Sequence, residues 1–386
     1  MRDWLSIERA TAELQGRKHS VELQSVRGLA SLAVVLHHCC FYYDYGAGLR
    51  RLSEIAINAH AAVVTFFVLS GFVLTISLSR RPIDLAETSS FYLRRAFRIY
   101  PALWVSLLVA LGYALLFHGM PKPETVSLWW NPHSREFLTP VVALLSVMGV
   151  FTLFPVPIWS LFVELIGSFL MPGIAWLLFR RTRLFLLVAV LLAILSQIGG
   201  FSIVVAPVYL VDFALGAGIV LIAPAIAPRL RNDRVAVVAA LVAFCALWFG
   251  RNLVAGDFMT DYESKPAALI EAVAATALIA VLYVRADLFG FLRSRPLTWL
   301  GDVSYSLYLL HLPILGLVAG IGSELLGIWP FAGGGLPATF ALMLLVVPLS
   351  LASAAFSYRF VELPAMRLGK PIAEGWGRWI RSLGRP

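Results

Sequence analysis

Residues 60–79 read HAAVVTFFVLSGFVLTISLS, a stretch of twenty positions without a single Asp, Glu, Lys or Arg. Wound as an α-helix it is about 30 Å long, the thickness of the hydrocarbon layer of a bilayer. Working outward from it, further apolar runs lie at 27–43, 99–118, 158–179, 184–198, 203–222, 235–250, 267–284, 298–320 and 337–357, which makes ten. The whole chain is 60% hydrophobic and 14% charged, against roughly a quarter charged in an ordinary soluble domain, so a water-facing surface cannot be assembled from it. Outer-membrane strands would instead alternate over segments of about ten residues. The expected fold is all-α: a polytopic transmembrane helical bundle of about ten spans.

An eleventh run, 139–154, follows a polar loop rich in Trp, Pro and His and could be a span, a re-entrant piece or an interfacial helix. The basic residues decide. If it does not cross, both termini lie on one side, and that side collects all of the 31 Lys and Arg except Arg50, Arg51, Lys122, Arg135, Arg251 and Lys265. This is the asymmetry of the positive-inside rule. An eleventh span would send the basic C-terminal loops outward. Both termini are therefore expected in the cytoplasm, with a cytoplasmic arm at 1–19, a transmembrane domain at 20–365 and a cytoplasmic tail at 366–386.

The net charge of +9 belongs to short loops between apolar runs, so anchoring and topology explain it and no nucleic-acid partner is expected. The first 26 residues contain Arg2, Arg9, Arg17 and Lys18 but no apolar core of a signal peptide, so the first membrane helix directs insertion. Cys39, Cys40 and Cys245 all sit within apolar runs, and free thiols with no metal site are expected.

Ionisable groups at bilayer depth are costly unless paired or wet, so each is a functional candidate. In the first span Arg27 and His38 are eleven residues apart, ~16 Å along the axis and ~20° from the same face. The plain alternative makes Arg27 an interfacial anchor and His38 an interhelical hydrogen-bonding group. Glu164, in Pro157-Ile158-Trp159-Ser160-Leu161-Phe162-Val163-Glu164, lies about two turns below the outer surface, the depth at which His38 also falls. A carboxylate beside an imidazole fixes its tautomer and makes it a good general base for a hydroxyl. Arg95 and Arg98 stand one turn apart at the inner end of the third span and suit a phosphate or pyrophosphate, although basic helix ends also serve orientation alone. Ser304, Tyr308 and His311 follow one another at i, i+4 and i+7, a polar stripe suited to chemistry or to a hydrogen-bonded helix seam. Asp212 is a further intramembrane acid.

Together these residues resemble the acyltransferase family 3 membrane proteins, bacterial enzymes that O-acylate surface glycans. The resemblance rests on Ser25-Val26-Arg27-Gly28-Leu29-Ala30 with His38 beyond it, Phe66-Phe67-Val68-Leu69-Ser70-Gly71-Phe72, Arg95 and Arg98 before Ile99-Tyr100-Pro101, Trp159-Ser160-Leu161 with Glu164, Ser304 through His311, and Glu362-Leu363-Pro364. Each piece is weak alone; their order over residues 20 to 365 is specific. The resemblance implies a ten-helix bundle in the bacterial inner membrane, an acyl-coenzyme A co-substrate bound from the cytoplasm, no permanently bound cofactor, and a glycan or glycoside hydroxyl acylated at the periplasmic side. It also implies that Arg27, His38, Arg95 and Arg98 are needed for activity.

The expected mechanism puts the coenzyme A phosphates on Arg95 and Arg98, aided by Arg27. His38, oriented by Glu164, takes the proton of the attacking hydroxyl, and Ser304, Tyr308, His311, Asp212 and Ser70 are candidates for holding the acceptor or the developing oxyanion. A transient acyl-histidine is the variant. The rival from another class is a transporter or flippase of a glycan or lipid-linked sugar, in which the same polar residues line a path and no covalent bond changes.

Overall fold

The structure, a computed structural model, describes residues 20–80, 82–117, 120, 123–127, 129–130, 139–198, 206–255 and 264–383. The N-terminal arm at 1–19, Lys122, Arg135, the first three residues of the run at 203–222, and the last three residues of the tail lie outside them. The helices in chain order are α1 (Val21–Tyr42), α2 (Ala47–Ala56), α3 (Ala59–Ser79), α4 (Leu85–Leu116), α5 (Pro140–Val147), α6 (Ile158–Arg180), α7 (Thr182–Ile198), α8 (Ala206–Ile226), α9 (Asp233–Phe249), α10 (Arg251–Val254), α11 (Lys265–Val284), α12 (Arg295–Gly320), α13 (Gly335–Ser357) and α14 (Leu363–Leu383). Strand pairing among the described residues is limited to one isolated bridge between Tyr43 and Val126.

Each of the ten apolar runs falls on a helix of this series, and the protein is a polytopic helical bundle. Seven helices are long and apolar enough to cross a bilayer, those containing α3, α4, α6, α8, α11, α12 and α13, and α7 is apolar but shorter. Arg27, His37 and His38 lower the hydropathy of α1, and α9 has 17 residues. The run at 139–154 yields only α5, eight residues long. At about 12 Å it is far too short to cross as a helix.

Local capping starts several helices where the sequence turns polar. The side chain of Asn58 accepts from the backbone N–H of Ala61 at 2.9 Å, Asp84 from that of Glu87 at 2.7 Å, Thr139 from that of Val142 at 3.2 Å and Asn232 from that of Arg234 at 2.9 Å. Each satisfies a donor that the first helical turn leaves open.

The chain divides into two compact units. The first comprises residues 1–30, 58–88 and 163–301, and the second residues 31–57, 89–162 and 302–386. In the first unit α3 and α8 pack at backbone distance. A Cβ on Gly71 would sit 2.3 Å from the carbonyl oxygen of Phe213, and one on Gly216 would sit 2.1 Å from that of Val68. Phe67 stacks on Phe213 beside this crossing, with ring centroids 5.6 Å apart. Helices in lipid gain little from apolar burial, so small residues that admit such close approach supply the packing energy.

The first half of α1 belongs to the same unit and lies along the start of α12. Ser25 donates to the carbonyl of Leu292 at 2.6 Å, and a Cβ on Gly28 would come within 2.6 Å of the backbone nitrogen of Gly301. Arg293 forms an ion pair with Glu22. At the connection after α11, Arg285 donates to the carbonyl of Leu230 at 2.6 Å and to Asp233 at 2.6 Å. Its hydrogen bond also holds the carboxyl of Asp287 below the usual carboxylate range.

In the second unit the remainder of α1 runs parallel to α12. Ser31 donates to the carbonyl of Ser304 at 3.0 Å and His38 meets His311 two turns further on. Ser306 donates to Ser357 at 3.0 Å and reaches Glu362 at 3.4 Å, tying α12 to the end of α13. Residues 363–383 of the expected tail continue as α14, packed against the opening turns of α4: Ser90 donates to the carbonyl of Ala373 at 2.8 Å.

Candidate active site

The second unit holds a pair of histidines. His38 sits one turn before the end of α1, and the parallel run of α12 brings His311 to the same level. Nδ1 of His38 and Nε2 of His311 are 2.7 Å apart, and the rings lie within 2° of parallel with centroids 5.0 Å apart. Trp129 stacks on His38 at 5.0 Å. His311 is fully buried, while His38 is half-buried. The accessible ring is therefore the one backed by a buried partner.

Two neutral imidazoles in this contact share one proton, which links their tautomers. When His38 carries the proton on Nδ1 and donates it to His311, the Nε2 of His38 keeps a lone pair and is a base. When His311 donates instead, the Nε2 of His38 bears a hydrogen and is not.

Tyr308, one turn before His311, places its hydroxyl 2.6 Å from Oγ of Ser160, and its ring centroid is 5.9 Å from that of His311. Ser160 itself donates to the carbonyl of Pro157 at 3.0 Å. A serine hydroxyl has one hydrogen, so Tyr308 is the donor to Ser160. Ser304 enters the arrangement through its backbone, accepting from Ser31, and its side chain is buried.

Arg95 and Arg98 also belong to the second unit and are half-buried in the first half of α4. Nη1 of Arg98 lies 3.1 Å from Sδ of Met366, the residue with which the expected tail begins. The remaining expected residues are in the first unit. Arg27 donates through Nη2 to the carbonyl of Gly301 at 3.1 Å. Glu164 accepts from Ser70 at 3.1 Å, which joins α6 to α3 and brings two of the expected site residues together. Asp212 is 2% exposed, and its Oδ2 has no hydrogen-bond partner among the described residues.

One polar centre was not anticipated. Glu271 of α11, fully buried, accepts from Nε of Arg251 at 3.0 Å and from Nδ2 of Asn58 at 2.9 Å, and it pairs with Nδ1 of His60. The other ring nitrogen of His60 meets the hydroxyl of Tyr209 at 2.8 Å. These residues stand at the starts of α3, α8 and α11 and just beyond the end of α9, so one carboxylate ties together four helices of the first unit. Glu271 lies in an apolar run, the signal that singled out Asp212, and applying the same rule to it would have found the centre. Arg251 reads in the sequence as a loop cation, but it is 4% exposed.

Comparison with known proteins accords with this polar framework. The family profile described as "Acyltransferase domain" matches residues 20–355. The chain is 24% identical to the peptidoglycan O-acetyltransferase OatA of Listeria monocytogenes, over 92% of this chain and 57% of that protein. It is 25% identical to the O-acetyltransferase OatA of Staphylococcus aureus, over 90% of this chain and 57% of that protein. It thus spans little more than half the length of these relatives. The acyltransferase MdmB of Streptomyces mycarofaciens is 27% identical over 92% of this chain and 95% of its own. No solved structure matches. Since the profile covers most of the 386 residues, from the first helix into the last apolar run, this chain belongs to the acyltransferase family 3 membrane proteins.

Proposed function

We propose that this protein is a membrane O-acyltransferase of the bacterial inner membrane that moves an acyl group, acetyl in the first instance, from acyl-coenzyme A to a hydroxyl of a glycan or glycoside. The observation that carries the reading is the contact between His38 and His311, which can leave a lone pair on the accessible ring of His38. The peptidoglycan O-acetyltransferases among the relatives support a cell-wall glycan as acceptor.

In this reading the donor's phosphates lie on Arg95 and Arg98 at the cytoplasmic mouth, and the thioester reaches His38 in the outer half of the bundle. His38 Nε2 removes the acceptor's hydroxyl proton as that oxygen bonds to the thioester carbon. The tetrahedral intermediate collapses with cleavage of the C–S bond, and coenzyme A leaves as its thiol with the proton His38 had taken. His311 orients the ring of His38: it accepts from Nδ1 of His38 and stabilises the imidazolium. Tyr308 can exchange its bond to Ser160 for one to the oxyanion. The parallel course of α1 and α12 supports a topology in which both cross in the same direction, as ten spans with cytoplasmic termini require.

The test is thiol release from acetyl-coenzyme A by the purified, reconstituted protein with peptidoglycan fragments as acceptor. Acceptor-dependent release that His38→Ala abolishes is expected. Full release by His38→Ala overturns both the general-base reading and the acyl-histidine variant. Acceptor movement across the membrane without thiol release would establish a transporter instead.

A further inference from the structure

α14 has three distinct faces. At about 100° per residue, Gly369, Ala373 and Gly377 form a stripe of small side chains. These three are buried, and a Cβ on Gly369 would lie 2.5 Å from Cβ of Phe97, so the stripe seats the helix on α4. To one side of this stripe are Leu368, Ile372, Trp376, Trp379 and Leu383, within about 80° of arc. They are 62%, 50%, 42%, 50% and 64% exposed. The face opposite them carries Arg367, Lys370, Arg378 and Arg381, with Glu374 its single acid.

Five large apolar residues exposed in a line require a cover, and the rest of the helix indicates which. An apolar strip backed by a cationic strip is the pattern of a helix lying in the plane of a membrane interface, and tryptophans concentrate at that level. Trp376 and Trp379 lie on the apolar strip with ring centroids 4.9 Å apart. α14 also follows α13, a helix long and apolar enough to span, across one short π-helical turn at Tyr358–Glu362. It is therefore tethered beside a membrane boundary.

We propose that α14 is an interfacial helix that binds an anionic lipid leaflet: its Leu368/Ile372/Trp376/Trp379/Leu383 strip enters the acyl boundary, and Arg367, Lys370, Arg378 and Arg381 meet the lipid phosphates. Clustered cations next to a membrane span are attracted to anionic lipid within about a Debye length.

The full chain, reconstituted in nanodiscs of phosphatidylcholine with or without phosphatidylglycerol, tests this by nitroxide labelling. Cys245, the exposed cysteine, is changed to Ser, and Cys39 and Cys40 are buried. Labels at Ile372→Cys and Leu383→Cys should collide preferentially with oxygen over a water-soluble nickel chelate, by a ratio about threefold above that at Lys370→Cys, and should sit deeper when phosphatidylglycerol is present. The double change Arg378→Glu and Arg381→Glu should remove that lipid dependence. Labels at 372 and 383 shielded from both reagents would mean that a second copy or a partner protein covers the strip. Labels open to the chelate would mean that water does. A depth indifferent to phosphatidylglycerol would remove anionic recognition. Each of these three results overturns the proposal.

Discussion

Nδ1 of His38 and Nε2 of His311 lie 2.7 Å apart although 273 residues separate them in the chain. The parallel course of α1 and α12 makes the contact possible, and one shared proton makes the chemistry of either ring depend on the other. If His311 orients His38, His311→Ala should lower kcat by about 10²-fold while leaving KM for the acyl donor little changed. Combining it with His38→Ala should cost no more than His38→Ala alone, because groups acting as a unit are not additive. Steady-state thiol-release kinetics of the three variants check this; independent, multiplying losses would refute it.

The arginine pair makes a different prediction. Arg98→Ala should raise KM for acetyl-coenzyme A by about tenfold, the value of one charge-assisted contact, with kcat at saturating donor retained. Arg98→Lys should recover little of the loss if the contact is bidentate. An unchanged KM would leave the pair to membrane orientation.

Glu271 accepts from Asn58, His60 and Arg251 in a buried centre. Arg251→Met leaves the carboxylate without its principal cation and should destabilise the protein by about 3 kcal/mol. Adding Glu271→Gln to that variant should restore part of the loss, since the unpaired charge is then gone. Thermal unfolding in detergent reads both, and a double variant less stable than the single one would count against this account.

Gly71 and Gly216 admit backbone contact between α3 and α8. Gly71→Leu should shift the unfolding midpoint down, by the equivalent of about 1–3 kcal/mol of overpacking, whereas Gly48→Leu, at a glycine with open space around it, should not. Equal stability of the two variants would mean the crossing can relax.

By itself the sequence determined the all-helical membrane architecture, because twenty-residue runs without charge have no other stable solvent. It also singled out His38, His311, Tyr308, Glu164 and the Arg95/Arg98 pair, because polar groups stand out against lipid-compatible sequence, whereas Ser160, the partner of Tyr308, was read only as part of a motif. Partnership was decided only by tertiary structure. Periodicity gives a residue's depth and face on its own helix but not which helix lies beside it, so neither the contact of His38 with His311 nor that of Glu164 with Ser70 could be read from the sequence. The same limit hid the centre at Glu271, whose members come from four separate stretches of chain, and made a plain tail of α14, whose small-residue stripe has meaning only against Phe97 and Ser90 of α4.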